Sequence, residues 1–457
     1  MGIIFLMGKK VLIISNVFPP INNSGTNRIL NFVDNLPFFG WEPIIVATRT
    51  PTSINDHLDF LSINRIRKGI KVAYVDLVNM REMSSKIRNT PFLWRMWNVM
   101  FFPDESIYWA VLAWFRALKL ALFDRDIKVI VCSAPPFSVF LGLIFARVFI
   151  RIPVVLDFRD PWNEHNFLFG KRDLYSRVRF YAEKFIEDIT IRLSNRIVVV
   201  TPPMKHLPEF RKYSRKIDCV PNSYGSKEHI NDKVDMPQAE EFQGMSQFFN
   251  IVYVGRIHSH LGMSTKYFVR AFENMAKKNK LFHEKARIYF IGRADLHLYD
   301  IDDYIRDNII AKGFLSKREI MGYYKFADIL LFINVKKGSE YIATSKIYEY
   351  ISLGKHVLVL TGDGISKEIF RGAGVGMICN PDDTTDIENS ISVMFSQWLK
   401  GELKAKPDWG YIQQFEGKAV TGKLANMLDS VGNLCHNHNR PAGGACGVEA
   451  RKPCSSK

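Results

Sequence analysis

Short apolar runs, each closed by small, polar or proline-rich residues and followed by a stretch with helical spacing, recur along the chain. The first, Lys10-Val11-Leu12-Ile13-Ile14-Ser15-Asn16, is rich in branched side chains and ends in Phe18-Pro19-Pro20 and a polar loop containing Gly25. Helical spacing follows from Asn27 to Leu36, then Gly40-Trp41 and a second apolar run over residues 43–48. Strand, loop, helix, strand predicts the crossover unit of a parallel sheet. The rhythm returns at residues 129–132, closed by Ser133-Ala134-Pro135-Pro136, and at 154–157, closed by Arg159-Asp160-Pro161-Trp162. It returns again at 196–200, closed by Thr201-Pro202-Pro203. In open α/β sheets ligands bind outside the carboxyl ends of the strands, so these closures are where chemistry is expected.

A polar and charged stretch over residues 225–247 has no sustained apolar period and predicts a linker. Beyond it a second series of strand-like runs begins, at residues 251–255, 287–292, 309–313, 329–333, 357–360 and 376–380, with helical spacing between them. The pattern predicts an α/β chain of two Rossmann-like domains, residues 1–224 and 248–404, whose parallel sheets face each other across a cleft. Val420, Leu424, Met427 and Leu428 recur at helical spacing, which predicts a crossing helix within residues 405–431. Residues 432–457 lose apolar positions almost completely and are expected to be disordered.

Composition narrows the partners. Lys and Arg total 62 against 46 Asp and Glu, and residues 61–180 hold 19 basic and 10 acidic side chains. Such a field favours nucleotide phosphates, a phospholipid surface or nucleic acid. No zinc finger, RNA-binding signature or basic zipper is present, so no nucleic-acid partner is expected. Cys132, Cys219 and Cys379 are isolated in apolar segments, while Cys435, Cys446 and Cys454 lie in the polar tail at spacings that match no zinc pattern. This usage fits a reducing, cytoplasmic setting. The start lacks the basic leader of a signal peptide. The longest apolar stretch, residues 137–156, is interrupted by Arg147, Arg151 and Pro153, and reads as a buried helix followed by a strand. Any membrane contact is therefore expected to be peripheral, at the cytoplasmic face of the inner membrane. Residues 81–120 mix Arg88 and Arg95 with Trp94, Trp97, Trp109 and Trp114, which suits a headgroup interface. The alternative is an amphipathic excursion packed on its own domain.

The most informative stretch opens at Thr344-Ser345-Lys346 and continues through Glu349 to Gly354 before an apolar run. Thr344 and Ser345 suit a helix start, where free amides and partial positive charge favour a diphosphate. Glu349, one turn in, has acceptor oxygens suited to two ribose hydroxyls. Here the chain resembles the retaining glycosyltransferase family 4, of GT-B fold, in its O-antigen, capsule and exopolysaccharide branch. Four further segments agree in order: Ser15 to Pro20 with Gly25 and Arg28, Asp157 to Trp162, Val220-Pro221-Asn222, and Tyr253-Val254-Gly255-Arg256.

The resemblance implies a nucleotide-diphosphate sugar held by the second domain and a glycan or polyprenyl-diphosphate-linked glycan acceptor on the first. It implies no cofactor and no metal, because cationic side chains and a helix terminus carry the leaving group's charge. Donor candidates are Gly255, Arg256, Lys266, Thr344, Ser345, Lys346 and Glu349, with Arg256 on the diphosphate and Glu349 on the ribose. Pro20, Gly25 and Arg28 form the first, acceptor-side loop. Asp157, Arg159 and Asp160 are catalytic candidates, or else an internal salt-bridge network that shapes the cleft floor. Two departures stand out. Tyr341 occupies the position eight before Glu349 where the family usually has a carboxylate, and Lys266 is an imperfect substitute for a lysine usually found after the Gly-Arg pair. The missing carboxylate at position 341 keeps in view a catalytically silent scaffold subunit of a polysaccharide assembly complex, and a second rival is a related GT-B sugar-nucleotide epimerase.

Overall fold

The computed structural model describes residues 9–51, 57–76, 84, 86–87, 89–162, 174–225, 242, 244–257, 265–293, 301–334 and 340–437. In the first domain, β1 (Lys9–Ile14) leads through β2 (Ile21–Asn22) to helix α1 (Ser24–Asn35) and β3 (Trp41–Ala47). Then come β4 (His57–Leu58), β5 (Lys71–Tyr74), α2 (Pro91–Met100), α3 (Ile107–Phe123), β6 (Ile127–Ala134), α4 (Ser138–Phe149) and β7 (Val154–Phe158). Helix α5 (Leu174–Leu193), β8 (Arg196–Val199) and β9 (Ile217–Cys219) complete it. The main sheet is parallel, in the order β5-β3-β1-β6-β7-β8-β9. Its central strand is wholly apolar from Val11 to Ile14 because both faces are covered. Helices α3, α4 and α5 lie over one face, and α1 over the other.

The second domain starts with β10 (Phe249–Arg256) and α6 (Lys266–Lys278), α7 (Lys280–Lys285), β11 (Ala286–Arg293) and α8 (Asp303–Arg306). It continues with β12 (Ile309–Lys312), α9 (Lys317–Phe326), β13 (Ile329–Ile333), α10 (Ser345–Ser352), β14 (His356–Leu360), α11 (Ile365–Ala373), β15 (Gly376–Cys379) and α12 (Thr384–Leu399). Its parallel sheet runs β12-β11-β10-β13-β14-β15. In each sheet the strand order reverses direction once, between β1 and β6 and between β10 and β13. Crevices open at such switch points. The two carboxyl-end surfaces touch: Thr201, just past β8, donates its hydroxyl to the Tyr341 carbonyl, ahead of α10, at 2.7 Å.

The two-domain expectation holds, with differences at the joints. Phe242 and Met245, inside the expected linker 225–247, are buried in the second core, where the Phe242 ring meets Tyr323 at 5.1 Å. Two isolated anchors give no period, so the pattern could not announce them. The expected crossing segment is two helices, α13 (Trp409–Gln413) in the second domain and α14 (Gly417–Asn437) on the first. Between them Tyr224 bridges Glu416, and its amide donates to the Phe415 carbonyl at 3.2 Å. Helix α14 runs six residues past 431, so residues 432–437 of the tail expected to be disordered are helical. A helix already seated through Val420, Leu424 and Leu428 propagates by one hydrogen bond per added residue. Helix α4, expected to be buried, leaves Phe145, Val148 and Phe149 exposed at 68%, 80% and 65%. Only one side of it meets the sheet, yet the other side is apolar too. Among the described residues no helix is long and apolar enough to cross a membrane.

Candidate active site

The crevice at the β10/β13 switch point is built from glycine, tyrosine and one lysine. Gly255 and Gly292 stand opposite each other at the ends of β10 and β11, with φ of +148° and +104°. A side chain on Gly292 would strike the Gly255 carbonyl, and one on Gly255 would lie 2.5 Å from Lys346 Cε and 2.9 Å from its Nζ. Glycine is therefore what lets the Lys346 ammonium lie across the end of β10. Two buried tyrosines hold this arrangement: the Val254 amide donates to the Tyr350 hydroxyl at 3.2 Å, and the Tyr253 hydroxyl donates to the Arg256 carbonyl at 3.1 Å.

Helix α10 starts without a side-chain cap, since Thr344 is exposed and its hydroxyl accepts no helix amide. The amides of a first turn have no intrahelical partner, so they remain available to a ligand. A comparison within the domain gives this weight. Helices α8, α9 and α12, which follow the outer strands β11, β12 and β15, are capped by Asp302, Ser316 and Asp383. Helices α6, α10 and α11, which follow the central strands β10, β13 and β14, carry no side-chain cap. The uncapped starts thus follow three neighbouring strands, two of which flank the switch point.

Lys346 and Glu349 sit one turn apart on the partly exposed side of α10. Burial pulls the Lys346 ammonium below the ordinary lysine range, and the Glu349 charge works against that fall. Burial, with the Glu349 charge second, pushes the Tyr324 hydroxyl far above the usual phenol value, so it faces Glu349 as a neutral group. Arg256 ends β10 half-buried, and Lys266 opens α6 on the exposed side. The loop between them, residues 258–264 with His258 and His260, lies outside the described residues.

On the first-domain side the three residues of the acidic motif are placed differently. Asp157, at the end of β7, is buried and forked by Arg28, with Nη2 to Oδ1 at 2.7 Å and Nε to Oδ2 at 3.1 Å. Ser133 adds a hydroxyl at 2.8 Å, and the remaining Arg28 nitrogen donates to the Pro221 carbonyl at 2.9 Å. Arg28 and Asp157 thus form a buried internal ion pair. Arg159 donates to the carbonyls of Ala134 and Pro135, and its guanidinium fills the space that a side chain on Gly25 would need. Asp160 is the exposed acid of the motif, and Pro20 is buried at the foot of the first loop. Sequence reasoning missed Tyr253, Tyr324 and Tyr350 as the supports of the second-domain site. It also gave no sign that Tyr341 packs against the first-domain core. Among the described residues no group of three or more His, Cys, Asp or Glu side chains is placed to hold a metal.

No protein-family model matches the chain, and no curated protein matches it in sequence. Solved structures do match its architecture. The α,α-trehalose 6-phosphate synthase of Burkholderia multivorans superposes with a TM-score of 0.60 at 11% identity, over 96% of this chain and all 100% of that one. HepE of Anabaena, crystallised with UDP, gives 0.59 at 12% identity over 92% and 100%. Sucrose-phosphate synthase from Thermosynechococcus elongatus gives 0.56 at 11% over 94% and 98%. The chain has the GT-B fold.

Proposed function

We propose that this GT-B chain is a glycosyltransferase that moves a sugar from a nucleotide-diphosphate sugar to an acceptor on its first domain. One observation carries the reading: the uncapped start of α10, with Lys346 laid across Gly255 and Glu349 one turn on, in the crevice of the second sheet. First-turn amides and the Lys346 and Arg256 cations take the diphosphate, and Glu349 accepts the ribose hydroxyls. Charge that develops on the departing diphosphate then meets donors already in place, with no reorganisation at the moment of reaction. A structural neighbour, HepE, was crystallised with UDP-glucose, which supports a donor of that class.

The finer parts of the proposal are retention through front-face attack, as in the family 4 resemblance, and a glycan or polyprenyl-diphosphate-linked acceptor. In this scheme the leaving diphosphate takes the acceptor proton, and exposed Asp160 contacts the acceptor. The test is calorimetric binding of UDP and UDP-glucose, followed by nucleoside diphosphate release with and without acceptor glycans. Binding weakened about ten- to a hundredfold in Glu349→Ala, with acceptor-dependent release in the wild type, is expected; absence of binding by every nucleotide sugar at millimolar concentration overturns the reading. Turnover without acceptor would instead favour an epimerase. The silent-scaffold alternative draws on Tyr341, whose position joins the domains where a sugar-contacting carboxylate was expected. Donor binding without turnover, gained by Tyr341→Glu, would support it.

A further inference from the structure

Helices α3, α4 and α5 turn their inner sides to one face of the first sheet, with Trp109, Trp114, Phe140 and Ile191 in its core. Their outer sides therefore share a common exterior. Helix α2 is fastened to the same group, because Arg179 of α5 donates to the carbonyls of Asn98 and Pro103 and pairs with Glu183 at 2.8 Å. Apolar side chains fill this exterior at helical spacing. Helix α3 presents Val111, Phe115 and Leu122, α4 presents Phe145, Val148 and Phe149, and α5 presents Leu174, Val178, Tyr181 and Phe185. Most of the large apolar side chains left exposed among the described residues lie between Phe92 and Phe185. An exposed apolar expanse of this extent marks an interaction surface.

Charge identifies the partner. Helices α2, α3 and α4 contain no Asp or Glu. The acids of α5 are turned away from this face or neutralised: Glu183 and Glu187 are buried, and Asp188 pairs with Arg192 at 2.8 Å and with Lys212. Exposed Arg116, Lys119, Arg177 and Lys184 are set among the apolar stripes. At the foot of α3, Lys71, Arg116, Lys119 and Arg125 border a depression of about 650 Å³ next to exposed Phe123. The acids there, Asp124 and Asp126, are both engaged by Lys10, at 3.0 and 3.4 Å.

We propose that this face docks on an anionic phospholipid bilayer, with the aromatic and aliphatic stripes in the headgroup boundary and the cations on lipid phosphates. Apolar rings with long cations beside them are the composition that lies flat in such an interface. A second copy of the chain is disfavoured as the occupant, because a two-fold contact would set this cationic face against itself. Helix α4 starts just after the carboxyl end of β6, so the docking face reaches the strand-end side of the first sheet. The inference extends beyond the segment 81–120 singled out in the sequence, and it stands whether or not the chain transfers sugars.

The test is co-sedimentation of the full chain with vesicles of phosphatidylglycerol and phosphatidylethanolamine, against vesicles of phosphatidylcholine. The wild type is expected to pellet with the anionic vesicles, more weakly as salt rises. Arg116→Glu with Lys119→Glu should weaken binding about tenfold or more, given the contribution of each surface cation. Phe115→Ser, Phe145→Ser and Phe185→Ser together should release the protein at an unchanged melting temperature. Absence of binding, equal binding to both lipid types, or a triple variant that binds like the wild type overturns the proposal. So does a solution dimer that the triple variant dissociates.

Discussion

Lys346 is held by two opposed influences, burial that favours the neutral amine and Glu349 that favours the ammonium. Burial prevails, so the amine loses its proton at a lower pH than an ordinary lysine, whose value is 10.5. The cation that meets a diphosphate is present below that lowered value and lost as pH rises through it. UDP affinity, followed by calorimetry across the alkaline range, is expected to fall before pH 10.5 is reached. In Lys346→Arg the fall should vanish up to about pH 11, since a guanidinium keeps its proton there. Glu349→Ala removes charge-assisted hydrogen bonds worth about 1.5–3 kcal/mol, which should appear as a rise in donor KM of about ten- to a hundredfold. Gly255→Ala forces a positive φ on a residue with a side chain and drives that side chain into Lys346. It should cost about 1–3 kcal/mol in a denaturant titration and raise donor KM as well.

At the scale of elements, the Arg28–Asp157 pair fastens α1 to β7 and to the chain leaving β9. Arg28→Met leaves a buried carboxylate with Ser133 as its remaining hydrogen-bond donor among the described contacts. Denaturant unfolding should show a loss of about 3–5 kcal/mol, with much of it restored when Asp157→Leu removes the stranded charge. These elements also show what the sequence could and could not disclose. Strands β1, β6, β10, β13 and β14 were legible because covered parallel strands are apolar at nearly every position. Strand β5 was not, since an edge strand of Lys71, Val72, Ala73 and Tyr74 is only half covered and looks like loop. Thr344 was recognisable as a cap residue, yet its hydroxyl stays off the helix, which only coordinates reveal. Arg28 and Asp157 are 129 positions apart, and the Tyr324–Glu349 approach depends on α9 meeting α10. No spacing rule reaches so far.

For the whole molecule, α14 is the decisive piece, because a helix that follows the second domain completes the core of the first. Val420, Leu424, Leu428 and Val431 are buried there with Val11, Ile13 and Trp41, and Lys9 pairs with Asp429 at 2.7 Å. Leu428→Ala should cost about 2–5 kcal/mol. The expected sign in calorimetry is that the first domain melts earlier although the substitution lies near the far end of the chain. The same return path has a mechanical consequence. The backbone passes between the domains twice, and its outward and homeward strands lie side by side where Tyr224 meets Glu416. A nick in the outward segment alone would leave one physical particle, since the homeward strand and its seated helix still join the halves. A hinge between the halves would therefore be a paired seam rather than a single strand.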